Sequence, residues 1–271
     1  MLSHQTRHLI INYRGRVIFI RPEMRKNMIQ QVKTDLMSKG LLQTREEWET
    51  RNSVLSREIS HMINENVRFT TGQGLDVGCQ KGKPVDLLSQ QTRLSWTGID
   101  PAISQYMTSA RGINLWHGTA EQIPFLDRRF DCVVLANVYE HIDPCQYDTA
   151  LREIWRVLTD DGILVGQLPN PYFPIESHSR LPFMGWLPVR LQKQYWRLTP
   201  AVWQHDFYVV TIRDLKKRAA ALGFQQVMVR NFNYPVEVVP QKLRWAANLA
   251  RPVMQVMPWA WQFVFRKQRN D

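Results

Sequence analysis

The stretch Leu75-Asp76-Val77-Gly78-Cys79-Gln80-Lys81-Gly82 constrains this chain more than any other. It reads as a short apolar strand carrying an acid, then a glycine-bearing turn, then a helix. That order sets a backbone turn and a helix N-terminus at the carboxyl end of a strand, where doubly wound sheets receive polar ligands. Alone the signal is weak, because glycine turns of this size serve many nucleotides. Downstream, Trp96-Thr97-Gly98-Ile99-Asp100 is a second apolar run closed by an acid. An acid ending the second strand of such a sheet can accept hydrogen bonds from two ribose hydroxyls.

Three further segments follow in order. Gly118 to Phe125 (GTAEQIPF) leads into Phe130 to Ile142 (FDCVVLANVYEHI), a fourth strand and its exit. Leu151 to Val165 (LREIWRVLTDDGILV) then joins a helix to a fifth strand, with Asp160-Asp161-Gly162 as the turn. With LDVGCQKG and GID, these pieces resemble the class I S-adenosylmethionine-dependent methyltransferases, in particular their small-molecule (type 11-like) subgroup. The resemblance covers residues 75–167, and five pieces in the right order are far more specific than any one. It implies an α/β fold: a doubly wound, seven-stranded Rossmann-like sheet whose last strand is antiparallel. A dehydrogenase is disfavoured, because LDVGCQKG lacks the G-x-G-x-x-G spacing.

The resemblance also implies S-adenosyl-L-methionine as cofactor and a set of residues to hold it. Gly78 would let the backbone of the turn Gly78-Cys79-Gln80-Lys81-Gly82 approach the amino-acid portion, with Asp76 anchoring the turn or the ammonium. Family members have glycine where Gln80 stands, and that position often takes a conformation costing a Cβ-bearing residue about 1 kcal/mol. Asp100 would accept from the ribose; its alternative role is N-cap of a helix starting at Pro101-Ala102. Ile99, Pro101 and Ala102 would line the adenosine. Thr119 replaces a frequent acid near the adenine amino group, Ala120 would offer its amide, and Glu121 is a weaker candidate. Asn137 would sit beside the methionine part.

Before this core, residues 1–70 read as a mostly helical arm, with a small hairpin in 7–20 and helices over Pro22–Lys39 and Glu46–Asn64. The arm either helps enclose substrate or only packs. Within the domain spanning 71–271, helices are expected after Gly82, over Tyr147–Leu158 and over Thr211–Leu222, and the third strand over Ile113–Trp116. Phe224–Val229 and Trp259–Lys267 read as the sixth and final strands. Residues 168–206 are too long for an ordinary strand–helix connection and read as a substrate lid. A second insertion covers 232–258, with a helix over Gln241–Ala250.

Methyl transfer is an in-line displacement that needs alignment, exclusion of water and, for some acceptors, a base. No metal is called for. Base candidates are His178 in the lid, His141 beside Glu140, and His205. The aromatic residues of 172–208 suit a ring-bearing or apolar acceptor and equally suit a core for the cap. Arg180, Arg190, Lys193 and Arg197 suit an anionic group on the acceptor. The acceptor is therefore expected to be a small molecule, aromatic or amphipathic, anionic or lipid-linked, methylated on oxygen.

Charge bears on the alternatives. The net charge is +11. Residues 71–170 carry 8 Lys/Arg against 12 Asp/Glu, whereas 213–271 carry 11 against 3. A basic carboxyl-terminal region fits nucleic acid, an anionic membrane surface or an anionic substrate. RNA is the weaker partner, because Asn137-Val138-Tyr139-Glu140 stands where a nucleobase N-methylase often has an Asn/Asp-Pro-Pro-Tyr-like tetrapeptide. The apolar run 253–265 is too short to cross a bilayer, which leaves peripheral membrane contact open. Protein methylation and a catalytically silent, methyltransferase-like interaction protein are the remaining alternatives. Cys79, Cys132 and Cys145 form no pairing motif, and Met1 to Arg21 shows no secretory signal, so a reducing cytoplasm fits.

Overall fold

A computed structural model describes residues 9–13, 16–20, 45–67, 71–176, 181–196 and 207–268. Strands β1 (Leu9–Tyr13) and β2 (Arg16–Ile20) pair antiparallel, as the hairpin expected there. The helix expected at Pro22–Lys39 lies outside the described residues. Helix α1 (Arg45–Asn66) extends the second expected helix by a residue or two at each end. Its buried positions Ser56, Ile59, Ser60, Met62 and Ile63 recur at helical spacing, so one face packs on the sheet.

The core then runs β3 (Gly72–Val77), α2 (Lys83–Gln91), β4 (Leu94–Asp100), β5 (Met107–Thr108), β6 (Asn114–His117), β7 (Phe130–Ala136), α3 (Tyr147–Val157) and β8 (Leu158–Pro169). After the cap come α4 (Val189–Tyr195), α5 (Ile212–Ala221), β9 (Phe224–Phe232), α6 (Arg244–Leu249), α7 (Arg251–Val256) and β10 (Ala260–Lys267). The sheet order is β5-β6-β4-β3-β7-β8-β10-β9. Strands β6, β4, β3, β7 and β8 are parallel, and β10 lies antiparallel between β8 and β9. These are the seven expected strands plus β5, a two-residue edge strand.

Alternation along the strands divides the core. Leu75, Val77, Val133, Leu135 and Leu164 face α3 and α5, whereas Cys132, Val134, Ile163, Val165 and Val264 face α1 and α2. Asp76 shares the second face with Gly74, and Asp100 shares it with Trp96 and Gly98.

Two expectations are corrected. No helix begins at Pro101. Asp100 Oδ1 accepts from the Ala102 amide at 2.8 Å, curling the chain into a turn, and β5 returns antiparallel to β6. Nor does Asp160-Asp161-Gly162 precede the fifth strand. It is an irregularity inside β8, where pairing jumps from Phe130–Leu158 to Cys132–Ile163 and Asp161 takes φ 69.

Candidate active site

A cavity opens at the carboxyl ends of β3 and β7. Asp76, Gly78 and Gln80 form its floor with Val134, Ala136 and Asn137, while Asn52, Leu55, Ser56 and Ile59 of α1 form its roof. Lys83 and Pro84, at the start of α2, close one side, and Lys83 is tied to Glu49 of α1 at 3.5 Å. The helical arm thus encloses the site directly. In the sequence Leu55 and Ile59 read only as part of the helix's apolar side, and no roof residue reads as a site residue, because α1 has no motif beyond its amphipathic pattern.

The glycine turn is held from behind. The amides of Gly78 and Cys79 both donate to the Ile99 carbonyl, at 2.8 and 3.0 Å, and the Gln80 amide donates to Asp100 Oδ2 at 2.8 Å. Gly78 and Gly82 take φ 80 and 88, and a Cβ on Gly78 would collide with the Val138 side chain. Gln80 takes φ 52, the left-handed conformation in which a Cβ is costly. Gln80→Gly is expected to raise stability by less than about 1 kcal/mol, since relieved strain is offset by a freer unfolded chain. It should leave S-adenosylhomocysteine affinity unchanged in calorimetric titration. A clear drop in melting temperature would contradict a strained turn.

Asp76 is 4% exposed, and its Oδ2 has no hydrogen-bond partner among the described residues. Burial, with help from the nearby Asp100 charge, pushes its carboxyl up to about 8. An acid oxygen left without a partner in a cavity is a receptor for a cation or donor that the protein itself does not supply. Asp100 is 8% exposed, and each of its oxygens accepts one amide. An ionised carboxylate has about four acceptor sites, which leaves room for two hydroxyl donors.

The remaining expected residues divide. Asn137 lines the cavity at φ 56, with Oδ1 accepting from Gln167 Nε2 at 3.1 Å. Gly82 packs under Ser109 and Leu115 instead of lining the cavity. The Cys79 side chain is buried against the sheet, where burial raises its thiol pKa, so only its backbone serves the turn. Cys132 is buried and Cys145 exposed. Pro101 is exposed at the turn beyond Asp100. Thr119, Ala120 and Glu121 lie in the loop after β6, apart from the residues that line the cavity, with Thr119 bridged to Gln122 and Ala120 buried. That loop is fixed to α3: Glu153 accepts the Ile123 amide, and Arg156 donates to the carbonyls of Ile123 and Phe125. The LREIWRV segment therefore has a structural task here.

Beyond Asn137 the chain forms a 3-10 turn, Tyr139–His141. His141 is one-third exposed, with Nε2 4.0 Å from Glu140 Oε1. Glu140 is 3% exposed, and burial pushes its carboxyl up to about 7, opposed by His141 and Arg51 and reinforced by Glu176. Glu176, at the entry to the cap, is equally buried. Sequence reasoning chose the histidines over this buried acid. His178 and His205 lie outside the described residues, as do Arg180 and Arg197. Among the cap aromatics, Trp196 and Phe207 form the cap's own small core with Met184. Phe173 stacks obliquely on Trp259 at 5.1 Å.

A family described as "Methyltransferase domain" matches residues 75–166. An uncharacterized methyltransferase of Staphylococcus carnosus is 24% identical over 194 residues, covering 71% of this chain and 84% of that protein. A ubiquinone/menaquinone biosynthesis C-methyltransferase of Haemophilus ducreyi is 30% identical over 129 residues, covering 45% of this chain and 48% of its own. Among solved structures, 1,6-didemethyltoxoflavin-N1-methyltransferase of Burkholderia thailandensis, with bound 1,6-didemethyltoxoflavin and S-adenosylhomocysteine, shares the fold. The two superpose with a TM-score of 0.52 at 14% identity over 99% of both chains.

Proposed function

Because this chain contains a class I S-adenosylmethionine-dependent methyltransferase domain, we propose that it methylates an oxygen of an aromatic or amphipathic small molecule. When bound, the cofactor supplies an electrophilic methyl group on a sulfonium. The residues fit it: the Asp76 oxygen, without a partner among the described residues, suits the ammonium, and Asp100 suits the ribose hydroxyls.

The observation that carries the acceptor assignment is Glu140. It lies three residues beyond Asn137, is buried near Glu176 at the entry to the cap, and its carboxyl is raised to about 7. A base is most effective when its pKa lies near the working pH, and a hydroxyl acceptor must lose its proton as the new bond forms. Glu140 would take that proton, while His141 and Arg51 stabilise the ionised acid. Enclosure of the cavity by α1 favours a small molecule. A curated relative named for quinone biosynthesis and a solved neighbour holding a heteroaromatic ligand support a ring-bearing acceptor.

The test is an acceptor screen with radiolabelled cofactor against phenols, hydroquinones and prenylated rings, the methylated atom being assigned by NMR. With an acceptor in hand, the wild-type rate should rise with pH through about 7. Glu140→Gln should lower kcat by about a hundredfold or more and flatten that limb. Transfer to carbon or nitrogen alone, or an unchanged pH profile in the variant, would defeat the oxygen assignment.

A further inference from the structure

The second insertion presents its apolar side to water. Helices α6 and α7 follow one another through Ala250, whose backbone is itself helical, so 244–256 runs as nearly one helix. The inward side is fixed: Met254 packs against the buried cluster that includes Trp259, and Arg244 ties the segment to α1 through Glu47 at 2.8 Å. Trp245, Leu249, Val253 and Val256 recur at spacings of four, four and three, one stripe of a helix. They are 69%, 77%, 54% and 87% exposed. A soluble helix places such a stripe against the core; here it faces solvent.

The charges that the segment itself carries have one sign. Between Glu237 and Asp271 the chain has no acidic residue, and Lys242 and Arg251 beside the stripe are exposed. The cap, which touches the Trp259 cluster through Phe173, also exposes Phe183 and Trp186, at 57% and 56%, and Arg190. We propose that this ridge docks on an anionic lipid surface, Trp245 and Leu249 entering the headgroup boundary and Lys242 and Arg251 meeting lipid phosphates. Aromatic and aliphatic side chains edged by cations are the composition of helices that lie in a membrane interface. A second copy of this chain fits less well, because pairing two ridges would bring together two basic faces of a chain already at +11. Among the described residues no helix is long and apolar enough to cross a membrane, so the contact is peripheral. Helix α1, which roofs the cavity, contributes Val54 to the cluster against which Met254 packs.

The test is vesicle flotation of the full chain, with phosphatidylcholine alone and with added phosphatidylglycerol. Retention is expected only on the mixed vesicles and should fall with salt. The Trp245→Ser, Leu249→Ser double variant should bind at least about tenfold more weakly. Lys242→Gln and Arg251→Gln should each cost about fivefold. All variants should keep wild-type circular dichroism and S-adenosylhomocysteine affinity, which separates this inference from the proposed catalytic function. Wild-type protein that stays with the soluble fraction, or a double variant that floats as well as wild type, would overturn it. So would light scattering that shows a dimer split by the double variant, which would assign the ridge to a second copy.

Discussion

Asp76→Ala is expected to weaken S-adenosylhomocysteine binding by roughly a hundredfold while making the cofactor-free protein more stable. Both effects come from one atom. Asp76 Oδ2 is buried, faces the cavity and has no partner among the described residues. Removing one member of a buried charge pair costs about 2 to 5 kcal/mol of binding. Without the ligand the same oxygen is an uncompensated polar group, costing the fold about 1 to 3 kcal/mol. Activity and stability are therefore opposed at this position.

The pH dependence follows with a definite sign. The carboxyl of Asp76 rises from an ordinary 3.8 to about 8 on folding, so folding takes up a proton between those values. The stability contributed by the protonated acid is complete below about 4 and is lost as pH rises through 8. Wild-type apo protein should thus lose stability relative to Asp76→Asn across that window. Cofactor binding reverses the balance, because an ammonium favours the ionised acid. At pH 7, binding should release close to one proton per site, and the variant should release none. Calorimetry in two buffers of different ionisation enthalpy measures this. Equal proton release by wild type and variant would remove Asp76 from the ammonium site.

The fold was legible where period and punctuation agreed. Strands β3 and β4 are apolar runs closed by a glycine and by an acid, β7 and β8 contain longer apolar runs, and α3 and α5 carry clear amphipathic faces. At Thr211 the side chain accepts the Asp214 amide, a cap signal that fixes the start of α5 within a residue of the expected place. The failure at Pro101 has a local cause. Proline after an acid is a helix-start signal, but no apolar periodicity follows through Gly112, and the Asp100 carboxylate is already engaged by two amides. Of the site, the turn and its two acids could be read because their spacing is rigid within one strand–turn–helix unit. The roof could not, since Asn52 and Ser56 reach the cavity only through the way α1 docks. Glu140 was passed over because carboxylates are ordinarily ionised at neutral pH. Only burial raises this carboxyl to about 7, and burial is a property of the assembled fold.

Gln167→Leu is expected to destabilise the protein by about 3 kcal/mol, roughly 6 to 12 °C in Tm for a chain of this size, although leucine suits a buried strand. Gln167 and Gln262 are 1% and 0% exposed, on the face of β8 and β10 that α1 covers. Gln167 Nε2 donates to Asn137 Oδ1 and to the Tyr234 hydroxyl, both at 3.1 Å, and its Oε1 accepts from Gln262 Nε2 at 3.2 Å. Gln262 Oε1 accepts from Arg230, whose guanidinium pairs with Glu58 of α1 at 2.8 Å. The chain of bonds therefore links a cavity residue in a left-handed conformation to the helix that roofs the same cavity. Leucine at 167 would remove a partner from Asn137, Tyr234 and Gln262 at once, and a half-satisfied network is worse than an apolar core. S-adenosylhomocysteine affinity should fall with stability, since Asn137 loses its hold and α1 its register over the site. Adding Gln262→Leu should then cost less than it does alone, by about 1 kcal/mol or more, because one stranded group has been removed. Strictly additive costs in that double-mutant cycle would mean that the two glutamines act independently and that the path from Asn137 to α1 carries no coupling.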